Sequence, residues 1–562
     1  MPKPTPKLIV LKFGGSVLLD EQRLRIAVHE IYRWRREGWR VIAVVSALAG
    51  RTDELIARCN TLNQSASATT KAALIANGER ESATLLGVHL DRSGIPARVY
   101  SPEAVSLIAS GDPLNAHPLS IDRTAIDHAL SADGVVVLPG FVAVNDDGES
   151  VTLGRGGSDL SAVFVAHALN AERCRLIKDV DALYTSDPAA TEILPERFSY
   201  ASYDDALSTD GSIIQHKAVR FAKRFGIEFE LGRFNGTRPT TIGPGLTRHD
   251  DSPDIPTVSS VALCGLGTVG AGVADLISQL PDQFNIIGAA RRTVTSIDFD
   301  RAFPVRQDAI ELATLGADIV VELIGGYSVA DEVARTAMKH GSNVVTANKA
   351  LIAEDHEALN DLAGIHGITI RCSASVGGAA PVLESLEHAP VVAVEGILNG
   401  TGNYVLAKLG DGTSFPAAVH EAQAQGFAET DPSRDLDGRD SLDKLRVIAH
   451  QLGWDVPGNA WHTSSIATWA SNTESKYPAR QVAYLDQRFA RVLVKPVEPE
   501  SVFAKVRDEW NIAILHHPDG STTKLRGKGA GRWPTSEAVI ADLLEHARMK
   551  CAEQYEERCH AI

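Results

Sequence analysis

The chain has 562 residues, enough at roughly 150 residues per domain for three or four domains with well-buried cores. Its formal net charge of −16 is scattered, with no acidic tail or basic block, and repels phosphate backbones, which argues against nucleic acid as a partner. Six cysteines without a CxxC pair point to reduced thiols, and the polar start Met1–Lys7 leads into an apolar run too short for a signal-peptide core or a membrane span, so a cytoplasmic protein acting on small molecules, with no membrane partner, is expected.

Leu8–Leu11 predicts a strand, closed by the turn Gly14-Gly15. Between Glu21 and Glu37, Leu24, Ala27, Ile31 and Trp34 recur near helical spacing, and Val41–Val45 is the next strand. Short apolar runs between turns indicate strands buried on both faces, hence a mostly parallel sheet. This pattern defines a first domain over 1–242. The Pro-, Gly- and Asp-rich stretch 243–257 reads as a linker. A second α/β block, 258–390, opens with the strand Val258–Leu263. A mixed region of helices and later strands spans 391–525, and a terminal segment, 526–562, contains a helix near Thr535–Tyr555.

In the second half, Val258–Leu263 runs into Gly265-Leu266-Gly267-Thr268-Val269-Gly270, a strand, a GxGxxG and then a helix start. Glycines there permit a tight turn and close approach of a pyrophosphate to the helix N-terminus, which makes Gly265, Gly267, Thr268, Val269 and Gly270 cofactor candidates. An acid at the end of the second strand would hold ribose hydroxyls. Here Phe284–Ala290 ends instead in Arg291-Arg292. That pair suits the 2′-phosphate of NADP as well as it suits a solvated basic turn, so NADP is expected, with NAD as the alternative.

Further motifs follow in order. Val344–Lys349 is a strand ending in a lysine. Gly396–Tyr404 is a polar, glycine-rich turn. Glu429-Thr430-Asp431-Pro432 leads to Asp435, Asp440 and Lys444, and Gly527-Lys528-Gly529-Ala530-Gly531 stands near the end. If the region is helical, Asp440 and Lys444 share a face four residues apart. This set resembles homoserine dehydrogenase over about 300 residues from 258 onward. The resemblance implies that Lys349 and Lys444 flank the reacting centre and that Asp440 assists proton transfer. It also implies that Glu429 and Asp435 hold the substrate amino group, that Lys349 and Gly531 lie by the cofactor, and that a monovalent cation (Na+ or K+) binds through carbonyls not assignable from sequence. A lysine ammonium can polarise an aldehyde oxygen and act as general acid. Where many members carry Tyr-Glu-Ala, this chain has Cys372-Ser373-Ala374, so the acid is lost there.

In the first half, Lys12-Phe13-Gly14-Gly15-Ser16 follows the first strand; its turn can cradle phosphate with backbone N–H groups. With Ser46–Asp53, Gly78–Ser82, Gly154–Asp159 and Lys178–Pro188 it resembles the aspartokinase branch of the amino-acid kinase family over about 235 residues. The resemblance implies ATP with Mg2+, Lys12 on the transferring phosphate, and Ser46, Thr52, Glu79, Arg155 and Asp159 around aspartate. Asp179 and Tyr184 would lie by the nucleotide. Departures fall on the nucleotide side: Ala189 follows Asp-Pro where the family often has Arg, Ile213 stands for a lysine, and the turn has Ser16-Val17 for Thr-Ser. A kinase fold kept as a silent scaffold, or as an amino-acid sensor, is therefore a second expectation.

Together the resemblances imply an α/β protein. An amino-acid-kinase-type α/β/α sandwich is fused to a Rossmann nucleotide-binding domain with an α+β catalytic/dimerisation domain. They further imply an oxidoreductase and a transferase of threonine, methionine and lysine biosynthesis, dimeric or larger. About 15 residues separate the halves, too few for an ACT module, so no threonine feedback through such a module is expected.

Overall fold

The computed structural model describes residues 7–186, 188, 195–209, 211, 213–250, 257–294, 301–472 and 477–560. They form two compact units. Met1–Asp91, Pro96–Thr257 and Arg548–Ile562 make up the first; Arg92–Ile95 and Val258–Ala547 make up the second. Among the described residues no helix is long and apolar enough to cross a membrane.

The first unit is built on a nine-stranded sheet. At its centre Leu8–Phe13 runs parallel to Arg40–Val45 on one side and to Arg173–Lys178 on the other. All six residues of Leu8–Phe13 are buried, so both faces of the sheet are covered, as the apolar run Leu8–Leu11 requires. The helix Leu24–Arg36 buries Leu24, Ala27, Ile31 and Trp34. It begins three residues later than its periodicity suggests, because the Asp20 carboxylate accepts the Arg23 N–H (2.9 Å) and holds the approach as a turn. Arg33, Arg35 and Arg36 in its last turn complement the helix dipole.

Part of the expected linker is not a linker. Arg248–Asp250 is an edge strand, antiparallel to Arg197–Ser202. Tertiary contacts hold it there: Ser202 N–H donates to Thr247 Oγ1 (2.9 Å), and the rings of Phe198 and His249 pack tilted with centroids 4.8 Å apart. Composition alone signalled a turn-rich connection. Residues 251–256 and Ala189 lie outside the described residues.

The second unit holds two six-stranded sheets. The first is all parallel, in the order Val305–Arg306, Phe284–Ala290, Ser259–Cys264, Ile319–Glu322, Asn343–Thr346, Ile370–Arg371. In chain order this is 3-2-1-4-5-6, the doubly wound dinucleotide-binding arrangement, whose ligand crevice opens at the carboxyl ends where the order reverses. The second sheet is mostly antiparallel and includes Ala393–Ile397 and Thr522–Lys528. An expected domain boundary at 525/526 thus falls inside a strand. The terminal helix Arg532–His560 starts against the helix Thr268–Ile277, with Ser536 Oγ donating to Val269 O (3.1 Å). From Arg548 on it groups with the first unit, so only part of 526–562 returns to the nucleotide-binding sheet.

Candidate active sites

The glycine motif of the second unit has the geometry its spacing predicts. The strand Ser259–Cys264 ends at Gly265, whose φ of +118° and 2.5 Å clearance from Leu323 O to any added Cβ exclude a side chain. A Cβ on Gly270 would meet Gly265 O at 1.9 Å. Gly267 caps the helix Thr268–Ile277 and has nothing within 4 Å of where its Cβ would lie. A helix N-terminus therefore faces open space over a backbone stripped of side chains, a cradle that fits a dinucleotide pyrophosphate. Arg291, half-buried, and Arg292, exposed, follow the second strand directly. Gly531, with φ +115°, immediately precedes the helix that packs on Thr268–Ile277.

The polar residues of the motif set converge on one cluster. Asp440 and Lys444 lie one turn apart on the helix Arg439–Gln451, with Lys444 Nζ 2.8 Å from Asp440 Oδ2. Lys349 Nζ approaches Asp440 Oδ1 at 2.5 Å from a different helix, Lys349–His366. The lysine does not end a strand, as expected from the apolar run before it. The strand stops at Thr346, and Asn348 caps a helix whose first residue is Lys349, its Oδ1 accepting the Leu351 N–H (3.2 Å). Lys444 Nζ also donates to Leu398 O (2.6 Å).

Asn399, inside the Gly396–Tyr404 segment, ties the cluster together. Its Nδ2 donates to Asp435 Oδ1 (2.7 Å) and to Asp440 Oδ2 (2.8 Å), while its Oδ1 caps the helix Gly400–Gly410 through Gly402 N (2.7 Å). The segment expected as a glycine-rich turn is thus a strand end followed by a helix start. An Asn before glycines at a strand end is an N-cap signal that could have found it. Glu429 is not brought into the cluster. It is exposed on the connection before Asp431, which Gln423 tethers by donating to the Glu429 carbonyl (3.1 Å).

Electrostatics set the protonation states. Burial opposes charge on Asp440, yet Lys444 and Lys349 hold its carboxyl well below the usual carboxylate range. Burial likewise works against the Lys349 ammonium, but Asp440, with Asp435 and Asp443, raises it above the ordinary lysine range. Asp435 is shifted upward by burial and by Asp440 beside it. Near neutral pH Asp440 is therefore an anion in contact with the Lys349 ammonium. Behind Lys349, fully buried Glu322 accepts from Thr346 Oγ1 (2.6 Å) and Ile324 N (2.7 Å), and burial pushes its carboxyl upward. Asn348 N donates to the same Thr346 hydroxyl (2.9 Å), so the acid braces the turn that aims Lys349.

In the first unit, Lys12 is the last residue but one of the central strand, ahead of the Gly14-Gly15 turn, and Asp159 sits in the first turn of the helix Gly157–Ala168. Their side chains pair at 2.5 Å. Lys178, at the end of Arg173–Lys178, is the unforeseen third member, 3.0 Å from Asp159 Oδ2. The three line a cavity of about 1090 Å³ together with Gly14, Gly15, Ser46, Thr52, Glu79 and Arg155. Burial lowers the Lys12 ammonium to about 8 against the pull of Asp159. Burial opposes charge on Asp159, but Lys12 and Lys178 keep it well below the carboxylate range. Burial raises Glu79 to about 7. Asp179 and Tyr184 do not line this cavity; the Tyr184 hydroxyl donates to Asp181 (2.9 Å) in the core. Among the described residues no group of three or more His, Cys, Asp or Glu converges to hold a metal.

Fold and site define an enzyme chain with two chemistries, a dinucleotide-dependent one in the second unit and a phosphate-directed one in the first. Sequence patterns agree. The Amino acid kinase family matches residues 7–230, the homoserine dehydrogenase NAD-binding domain 265–372, and Homoserine dehydrogenase 380–544. A homoserine dehydrogenase of Pseudomonas aeruginosa is 32% identical over 51% of this chain and 72% of its own length. An aspartokinase of Thermus thermophilus is 30% identical over 57% of this chain and 82% of its own. A solved homoserine dehydrogenase of Thiobacillus denitrificans shares 28% identity over 53% of this chain and 74% of that one, with a TM-score of 0.49. The chain belongs to the homoserine dehydrogenases through its second half and to the aspartokinases of the amino acid kinase family through its first.

Proposed function

We propose that the second half interconverts L-aspartate 4-semialdehyde and L-homoserine with NADP, and that the first half phosphorylates L-aspartate with ATP. Both steps would serve threonine, methionine and lysine biosynthesis. The observation that carries the first reading is the Lys349–Asp440–Lys444 cluster, drawn from two helices of the second unit. Gly265, Gly267 and Gly270, with the N–H groups of Thr268 and Val269, would hold the dinucleotide phosphates, and Arg291 and Arg292 a 2′-phosphate. The bound nicotinamide supplies the hydride. Lys349 and Lys444 present ammonium groups to the aldehyde oxygen, stabilising the charge that develops there and supplying its proton. Asp440 keeps Lys349 charged and holds both lysines in place. Asp435, fixed by Asn399, faces the substrate amino group.

The kinase reading rests on the Lys12–Asp159–Lys178 cluster lining a cavity that also holds Glu79 and Arg155. Aspartate is already an anionic nucleophile, so positioning and charge neutralisation suffice, and Mg2+ would enter on the nucleotide phosphates. The test is NADP+ and NAD+ reduction with L-homoserine by wild type and Lys444→Ala, beside ATP-dependent hydroxamate formation from aspartate. Homoserine oxidation lost in a folded Lys444→Ala supports the dehydrogenase reading. No turnover of the wild type with either dinucleotide refutes it, and no hydroxamate returns the first half to a silent scaffold.

A further inference from the structure

Two ammonium groups share one carboxylate in the first unit. Lys12 Nζ lies 2.5 Å from Asp159 Oδ1, and Lys178 Nζ lies 3.0 Å from Oδ2 and 3.3 Å from Oδ1. All three side chains are buried or nearly so, with side-chain exposures of 5%, 2% and 11%. Asp159 balances one lysine, so the three side chains by themselves carry an excess positive charge where water screens poorly; Glu79 on the same cavity, raised by burial to about 7, offsets it only in part near neutral pH. Such a charge is costly unless an anion meets it. The excess faces the cavity beside the Gly14-Gly15 turn: a Cβ on Gly14 would stand 3.1 Å from Lys12 Nζ.

The other basic groups nearby are placed differently. Lys71, also on the cavity wall, donates to Gln64 O (2.6 Å). Arg155 is exposed, on the loop before Gly156. No Lys or Arg occurs from Thr209 to His216. Lys217, which follows, points to Asn115 Oδ1 (2.8 Å) and Ala116 O (3.3 Å). The segment in which the resemblance expected a nucleotide-facing lysine therefore supplies none; Ile213 packs there against the core.

We propose that Lys178 is a catalytic residue of the kinase half, the second ammonium on the transferring phosphoryl group, supplied from the end of a central strand in place of the cation missing at 209–216. The proposal rests on the aspartokinase reading. As an aspartate carboxylate oxygen bonds to the γ-phosphorus, the bond to the β,γ-bridging oxygen breaks and ADP departs with the electron pair; no proton moves. Lys12 and Lys178 neutralise the charge on the phosphoryl oxygens, and Asp159 spaces the two ammonium groups.

The experiment compares wild type, Lys178→Met and Lys178→Arg in the full chain. MgATP and AMP affinities are measured by calorimetry, hydroxamate formation by steady-state kinetics, and homoserine oxidation serves as the check on folding. In Lys178→Met, MgATP affinity should fall roughly ten- to hundred-fold, the loss of one charge-assisted bond, with AMP affinity unchanged. Its kcat should fall roughly 100-fold with little change in KM for aspartate, and Lys178→Arg should recover part of both. Wild-type MgATP affinity and kcat in Lys178→Met would overturn the proposal. A wild type that binds MgATP but makes no hydroxamate sinks the aspartokinase reading, while the affinity comparison still decides whether Lys178 holds phosphate. A wild type that binds no MgATP overturns both.

Discussion

Replacing Asp440 by Asn keeps the shape of the dehydrogenase cluster and removes its one central charge. Asp440 is 5% exposed and touches both lysines, so the substitution leaves two ammonium groups facing a neutral amide. Given the two contact distances and the span of the carboxylate, the ammonium groups stand at most about 7.5 Å apart, and at an effective dielectric near 20 their repulsion is about 2 kcal/mol or more. Removing one partner of a buried ion pair costs about 3–5 kcal/mol. Lys349 is more than a third exposed, so water relieves part of this, and a loss of about 3 kcal/mol in unfolding free energy is expected. The sign of the pH effect follows from Lys349. Asp440 is the main group holding its ammonium above the ordinary value against burial; without it only the weaker Asp435 and Asp443 oppose burial, so the ammonium loses its proton at lower pH and the basic limb of the rate profile moves down. The assay is kcat/KM for homoserine oxidation from pH 6 to 11, beside urea unfolding of the same samples. We expect a fall of roughly 100-fold at the optimum. An Asp440→Asn enzyme with the wild-type pH profile and unchanged unfolding would refute the assignment of Asp440 as the group that keeps Lys349 charged.

Two further outcomes are expected. Glu79, raised by burial from 4.5 to about 7, binds its proton in the folded state where the unfolded chain has lost it. Stability should fall by on the order of 3 kcal/mol as pH rises through that window and level off above it. Glu79→Gln should flatten this slope in chemical denaturation and remove any rise in aspartate affinity near pH 7; an unchanged slope would show that Glu79 does not titrate there. Glu322→Gln puts an amide NH2 where one of two N–H or O–H donors expects an acceptor, and should lower unfolding stability by about 1–3 kcal/mol. If the Thr346 turn braces Lys349, kcat for homoserine oxidation falls with it while adenosine-ring affinity stays; thermal unfolding equal to wild type would mean the pocket reorganises freely.

Local sequence determined a great deal about this protein. Unbroken apolar runs such as Leu8–Leu11 and Val41–Val45 leave no polar face, so they become doubly covered parallel strands. The spacing Gly265, Gly267, Gly270 dictates a strand-to-helix turn because backbone contacts of 1.9–2.5 Å admit no Cβ at the first and last. Asp440 and Lys444 meet because a helix brings residues four apart onto one face. These are short-range consequences of backbone geometry, legible in a window of a few residues.

What lay beyond that window only the tertiary structure decided. Asn399 and Asp435 are 36 residues apart and Lys349 and Asp440 come from separate helices, so their pairing depends on how elements pack. The edge strand Arg248–Asp250 exists because Arg197–Ser202 offers an unpaired edge, which no local composition announces. Tyr184 turned inward to Asp181, Glu429 stayed exposed, and Lys178 joined Lys12 at Asp159. Whether a polar side chain serves a site or a scaffold depends on which partner is nearest in space, and for buried charges the cost of desolvation makes that choice binding.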